Sequence, residues 1–180
     1  METERQLLDA ILSEERGAMR RLYDRYSGYA MAIALRYIPD YDEVRDVLQD
    51  SFVKILTGIG KFNYRGEGSL KSWVARIVAN RSIDYVKENG RLTFTDKVPD
   101  SADEEETNVR DVPPDILDHM IGQLPTSYRV VLNLFVFEQL SHREIAHQLG
   151  ISESASGTYF FRAKKQLQRM IRDYYKQQSI

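Results

Sequence analysis

The side chains best suited to chemistry in this chain are cations and aromatic rings at helical spacing. The chemistry they suit is recognition of nucleic acid, not the making of bonds. From Ser141 to Leu167 the sequence reads SHREIAHQLGISESASGTYFFRAKKQL. Ser141 and Glu144 form a capping box, so a helix starts there. Ile145, Ala146 and Leu149 give it one apolar face. Gly150 stands where a helix closes in a left-handed residue, and Ser152 is a good N-cap for the next helix. Two short helices so joined predict a helix-turn-helix, which sets its second helix into the major groove of DNA. That second helix carries Arg162, Lys164, Lys165, Arg169, Arg172 and Lys176 against Glu153 and Asp173. Phe160, Ala163, Leu167, Met170 or Ile171, and Tyr174 recur at three and four and should pack inward. Glu153, Ser154, Gly157, Thr158, Phe161, Arg162 and Lys165 are then left facing outward. Arg162 can fork to guanine or to a phosphate, and Phe161 suits a thymine methyl or a sugar.

A second constellation lies upstream. Arg76, Asn80, Asp84 and Lys87 recur at i, i+4, i+8 and i+11 along one helix. A loop ahead of them holds Phe62, Tyr64 and Arg65, and Lys71 follows. Cations track a phosphate backbone while rings stack on unpaired bases, at about 1–3 kcal/mol per base. Phe62 and Trp73 also read as ordinary core; a ring can wall a pocket from its buried side. A third group, Asp46, Gln49 and Asp50, shares one polar helix face. It reads either as a solvated face or as an acidic docking surface for a partner helix.

Enzymatic chemistry finds little support. Cysteine is absent, which excludes disulfides, thiolate metal sites and a thiol nucleophile. His142 and His147 stand five apart rather than the four that would place them together over a metal, and with His119 they read as surface histidines. There is no glycine-rich phosphate loop. No catalytic residue, metal or cofactor is expected.

The elements that must position these groups are all helical, since no stretch alternates with period two. Helices are predicted from about Glu4 to Leu12, from Glu14 to Ile38, and from a cap at Asp40 to Leu56. A loop covers Lys61 to Gly68, and a helix capped by Ser69 runs to Asn89. Gly90 to Pro113 is poor in large apolar residues. Between Asp96 and Asp111 it holds seven acids against two cations, whereas Arg65 to Arg91 holds six cations against three acids. This segregation underlies a net charge of only −2 and matters more than the sum. Pro114 opens a further helix with Ile116, Leu117, Met120, Ile121 and Leu124 inward, and another runs from Thr126 to Phe137. The expected architecture is all-α: an N-terminal four-helix-type bundle (1–90), a flexible acidic linker (91–113) and a C-terminal helix-turn-helix bundle (114–180). The stretch METERQLLDAIL is charged and amphipathic, without a secretory apolar core. The longest apolar run, Tyr29 to Leu35, is too short to cross a bilayer. A cytoplasmic protein without membrane insertion is expected.

Three segments resemble, in order and spacing, a bacterial RNA polymerase sigma factor of the extracytoplasmic-function (ECF) group. They are DEVRDVLQDSFVKIL, FNYRGEGSLKSWVARIVANRSIDYVK, and LPTSYRVVLNLFVFEQLSHREIAHQLGISESASGTYFFRAKKQL. The resemblance implies that Asp46, Gln49 and Asp50 dock on the clamp helices of the polymerase's largest subunit. It implies that Tyr64, Arg65, Lys71, Trp73, Arg76, Asn80, Asp84 and Lys87 recognise and open the minus-ten promoter element. Ser154, Gly157, Thr158, Phe161, Arg162 and Lys165 would read the minus-thirty-five element as duplex. The implied partners are polymerase core, promoter DNA and an anti-sigma factor. The chain departs from the family at Ser156, where valine is common, and at Gly157 and Tyr159, where basic residues are common. Gly157 also lowers helix propensity by about 1 kcal/mol relative to alanine. Fewer cations mean fewer phosphate contacts, so weak affinity for isolated DNA is expected. The alternative reading is a dimeric helix-turn-helix regulator that acts on a palindromic site without polymerase.

Overall fold

The computed structural model describes residues 1–95 and 112–179. Most of the expected acidic linker therefore lies outside the described residues. Those described form eight α-helices and one 3-10 turn, with no strand among them. The chain separates into two compact units, Met1–Tyr85 and Val86–Ile180.

In the first unit, α1 (Glu4–Leu12) opens with a capping box between Thr3 and Gln6. It buries Leu7, Leu8 and Ile11. The next helix, α2 (Ala18–Tyr37), starts later than its apolar pattern suggested. The reason is backbone conformation: Glu14 and Gly17 take φ of 55° and 83°, and left-handed residues interrupt an α-helix. Asp40 caps α3 (Tyr41–Gly58), its carboxylate accepting from the amides of Asp42 and Glu43. Ile59–Lys61 add one 3-10 turn before the loop to α4 (Ser69–Glu88). The four helices close over Leu22, Tyr26, Ile33, Val44, Val47, Ile55, Leu70, Val74, Val78 and Ile83. Burying one such aliphatic side chain contributes about 1.5–3 kcal/mol.

In the second unit, α5 (Pro114–Gln123) begins on a proline that needs no amide partner. A turn leads to α6 (Thr126–Val136). Arg129 fastens that turn from within, donating from Nη1 to the carbonyls of Gly122 and Leu124 at 2.9 Å each. Burial pulls its guanidinium below the ordinary value, with Arg91 adding repulsion. Then come α7 (His142–Leu149) and α8 (Glu153–Gln178), a helix of 26 residues. Ile121, Leu124, Leu132 and Ala163 form one core cluster. Val112, Met120 and Ile171 form another. Phe94 and Thr95, in the stretch expected as linker, rest against Tyr159 of α8. The Tyr159 hydroxyl accepts from the Thr95 amide at 2.6 Å and donates to the Thr95 carbonyl at 3.1 Å.

Candidate nucleic-acid interface

The loop from Phe62 to Gly68 is shaped by two glycines with positive φ, Gly66 at 125° and Gly68 at 90°. These conformations favour glycine. Ser69 is the first residue of α4, not its cap as the sequence suggested. Its hydroxyl donates to the Gly66 carbonyl at 2.6 Å and accepts from the Arg65 amide at 3.2 Å. The cap comes from α1. Glu4, 2% exposed, accepts through Oε2 from the amides of Gly68 (2.8 Å) and Leu70 (3.0 Å). Through Oε1 it accepts from the Lys71 amide (3.0 Å) and the Tyr26 hydroxyl (2.9 Å). Glu67 answers in kind, both carboxylate oxygens lying 3.2 Å from the Glu4 amide. Each helix start thus satisfies amides of the other. Burial pushes the Glu4 carboxyl up, but the Leu70 and Lys71 amides, Tyr26 and the Gly68 amide together hold it below the ordinary value.

Around this anchor lie the expected recognition groups. Tyr64 reaches Glu67 at 3.4 Å, and the Arg5 guanidinium stands 5.5 Å from its ring centroid. The Lys71 ammonium lies 4.6 Å from the ring centroid of Tyr29. Arg65 is exposed. Trp73 is half-buried and packs on Phe62, centroids 5.0 Å apart. Arg76, Asn80, Asp84 and Lys87 are all exposed along α4. The structure brings Tyr64, Arg65, Lys71 and Trp73 together at one end of α4 and strings the other four along it.

Asp46 and Gln49 are exposed on α3. Asp50 shares their face but is also tied to α4: Nε and Nη2 of Arg81 each lie 2.9 Å from its Oδ2. Arg81 was not singled out in the sequence, because nothing local links positions 31 residues apart.

The helix-turn-helix is built as its sequence predicts. Ser141 and Glu144 form the capping box, Gly150 takes φ 67°, and Ser152 accepts from the Ala155 amide at 3.0 Å. Glu144 is held below the ordinary carboxylate range by its bonds to the Ser141 amide and hydroxyl. Phe161 is 50% exposed, Ser154 is exposed, and Gly157, Thr158 and Arg162 are partly so. Two placements differ from expectation. Lys165 is buried at 8% exposure, its ammonium 5.1 Å from the centroid of Phe161. An ammonium over an aromatic face is attracted to the ring in this way. And His142 is no plain surface histidine. Its ring stacks on Phe135 with centroids 4.6 Å apart, and its Nδ1 lies 2.9 Å from Oγ of fully buried Ser156. Where the resembling family often has valine, this chain closes the corner with a polar contact.

Apart from the α1 residues Glu4 and Arg5, these features sit within two recognised regions. The Sigma-70 region 2 family model matches residues 22–92, and the Sigma-70, region 4 model matches residues 115–167. The RNA polymerase sigma-H factor of Pseudomonas aeruginosa is 26% identical over 190 residues, spanning 96% of this chain and 97% of its own. The ECF RNA polymerase sigma factor SigM of Bacillus subtilis is 24% identical over 157 residues, spanning 83% of this chain and 92% of its own. This chain belongs to the sigma-70 family, in its ECF group. Its function is therefore that of a promoter-specificity subunit of RNA polymerase, and the dimeric regulator is not favoured. Among solved structures, that of CnrH in complex with the cytosolic domain of CnrY is similar at 25% identity and a TM-score of 0.49, covering 94% of this chain and 97% of that one. In this sigma factor, region 2 takes in most of α2 with α3 and α4, and region 4 takes in α5 to α7 and the first half of α8. No helix among the described residues is long and apolar enough to cross a membrane.

Proposed function

We propose that this sigma factor divides promoter recognition between its two units and supplies no catalysis of its own. The face of α3 with Asp46, Gln49 and Asp50 docks on the clamp helices of the polymerase's largest subunit. The loop and outward stripe of α4, from Tyr64 to Lys87, take the minus-ten element as it opens. Removing a base from the stack costs a few kcal/mol. The ring of Tyr64 and the cations Arg65, Lys71 and Arg76 are the groups that recover it. The exposed start of α8, with Ser154, Gly157, Thr158, Phe161 and Arg162, reads the minus-thirty-five element as duplex. Lys165, being buried, serves there through Phe161 rather than by reaching a base. The protein works in the cytoplasm and is held inactive by an anti-sigma factor until a signal arrives.

One observation carries this reading. Beside a helix stripe that stays in solvent, the aromatic and cationic loop is fixed in shape by buried hydrogen bonds, as a preformed site for an unpaired base requires. The test begins with core polymerase. Full-length protein should form a stable complex with core, and Asp50→Ala should weaken it about tenfold, the scale of one lost charge-assisted contact. Because Arg81 holds Asp50, Arg81→Ala should weaken core binding less than Asp50→Ala does. Unchanged affinity in Asp50→Ala would show that the docking face lies elsewhere.

A further inference from the structure

Glu4 lies outside the segment that matches region 2, yet it makes the most heavily bonded contact of the loop that region 2 presents. Both its oxygens are doubly occupied: Oε1 by the Lys71 amide and the Tyr26 hydroxyl, Oε2 by the amides of Gly68 and Leu70, all at 2.8–3.0 Å. Four donors converge on four lone-pair directions of one buried carboxylate. A glutamine could not replace it. Its single oxygen can serve one donor pair, while its amide nitrogen would confront the other with hydrogens on both sides. Aspartate would fall one methylene short. The three amides belong to residues that frame the base-facing loop: Gly68, which needs its positive φ, and Leu70 and Lys71, which open α4. Lys71 itself bears a cation of the interface, and Tyr64 is tied into the same corner through Glu67 and Arg5. Because Glu67 returns a bond to the Glu4 amide, neither helix start can shift without releasing the other.

We propose that Glu4 is a positioning residue for promoter opening, its buried carboxylate setting the Tyr64–Lys71 loop in the one shape that receives an unpaired base. The proposal rests on the reading of that loop as the site of base capture. Glu4 itself touches no DNA; it acts through the backbone of Gly68, Leu70 and Lys71.

The test uses holoenzyme assembled from core and full-length chain. The probe is a fork-junction DNA carrying the minus-ten segment of a promoter that the wild-type holoenzyme itself opens. A matched series replaces each single-stranded base in turn by an abasic site. Wild-type holoenzyme should show a large abasic penalty at one position. Glu4→Gln should keep core affinity within about twofold while that penalty falls about tenfold, the effect of leaving buried donors unpaired. A purely structural role would lower core affinity and fork affinity together and leave the abasic ratio unchanged. If Glu4→Gln binds core normally and keeps the full penalty, the proposal is overturned. Should Glu4→Gln lose core binding as well, Tyr26→Phe decides, since it removes one of the four bonds and leaves the carboxylate in place. A reduced penalty in Tyr26→Phe with core affinity intact supports the role, and an undiminished one ends it. A wild-type holoenzyme with no penalty at any position overturns the reading of the loop, and the proposal with it. That failure is told apart from the others by the wild-type measurement alone.

Discussion

At the scale of single residues, the protein concentrates its polar chemistry in a few buried contacts. Glu4 is the sharpest case. Its carboxyl is held below the ordinary value of 4.5, so the charged form is favoured in the folded state. The stabilisation it gives is present above that ordinary value and is lost as pH falls through the folded one. Trp73 is the only tryptophan and sits in the same unit, so its fluorescence reports this transition. We predict that Glu4→Gln lowers stability at neutral pH by about 2 kcal/mol. The gap to wild type should narrow as pH drops from about 4.5 through the lower folded value, where the wild-type carboxylate also takes up a proton. A gap that is constant with pH would show that the charge is not what matters. Arg162 is the other residue with a direct consequence. Arg162→Ala should weaken binding of minus-thirty-five duplex by about 1–3 kcal/mol and lessen its salt dependence. Fluorescence anisotropy at several salt concentrations measures both. An unchanged affinity would move duplex reading away from this face of α8.

At the scale of elements, the local capping signals of the helix-turn-helix are legible in the sequence and distant contacts are not. Ser141, Glu144, Gly150 and Ser152 each act within four residues of themselves, so the caps and corner of the helix-turn-helix are legible in the sequence. The end of α2 at the residues before Pro39 was legible for the same reason. Its start was not, because the left-handed turn at Glu14 leaves no mark in an apolar pattern. The cap of α4 was misplaced on Ser69, since a serine in that position looks adequate and its true cap, Glu4, lies more than sixty residues upstream. Periodicity places Lys165 outward, because it registers charge but not the contact of the ammonium with the Phe161 ring. The acidic segment ahead of Pro113 is legible as composition only. Gly150 offers the cleanest test at this scale. With φ of 67°, Gly150→Ala should cost the second unit about 1–2 kcal/mol, the penalty of a left-handed alanine. Urea unfolding followed by circular dichroism measures it. No loss of stability would mean the corner is not held by that residue.

At the scale of the whole molecule, the two units divide the labour of promoter recognition. One unit presents a loop and stripe suited to single-stranded DNA, and the other presents a helix suited to duplex. Neither alone would specify a promoter, because a short element recurs often in any genome and specificity grows with the number of separately read positions. The most direct measurement is chemical footprinting of a promoter bound by core polymerase together with this protein. Permanganate reports unpaired thymines, and hydroxyl radicals report protected backbone. A division of labour predicts reactive thymines confined to the minus-ten region, with protection of intact duplex at the minus-thirty-five region. It further predicts that Arg162→Ala abolishes the second signal before the first. Protected duplex at both regions, with no thymine made reactive, would contradict it.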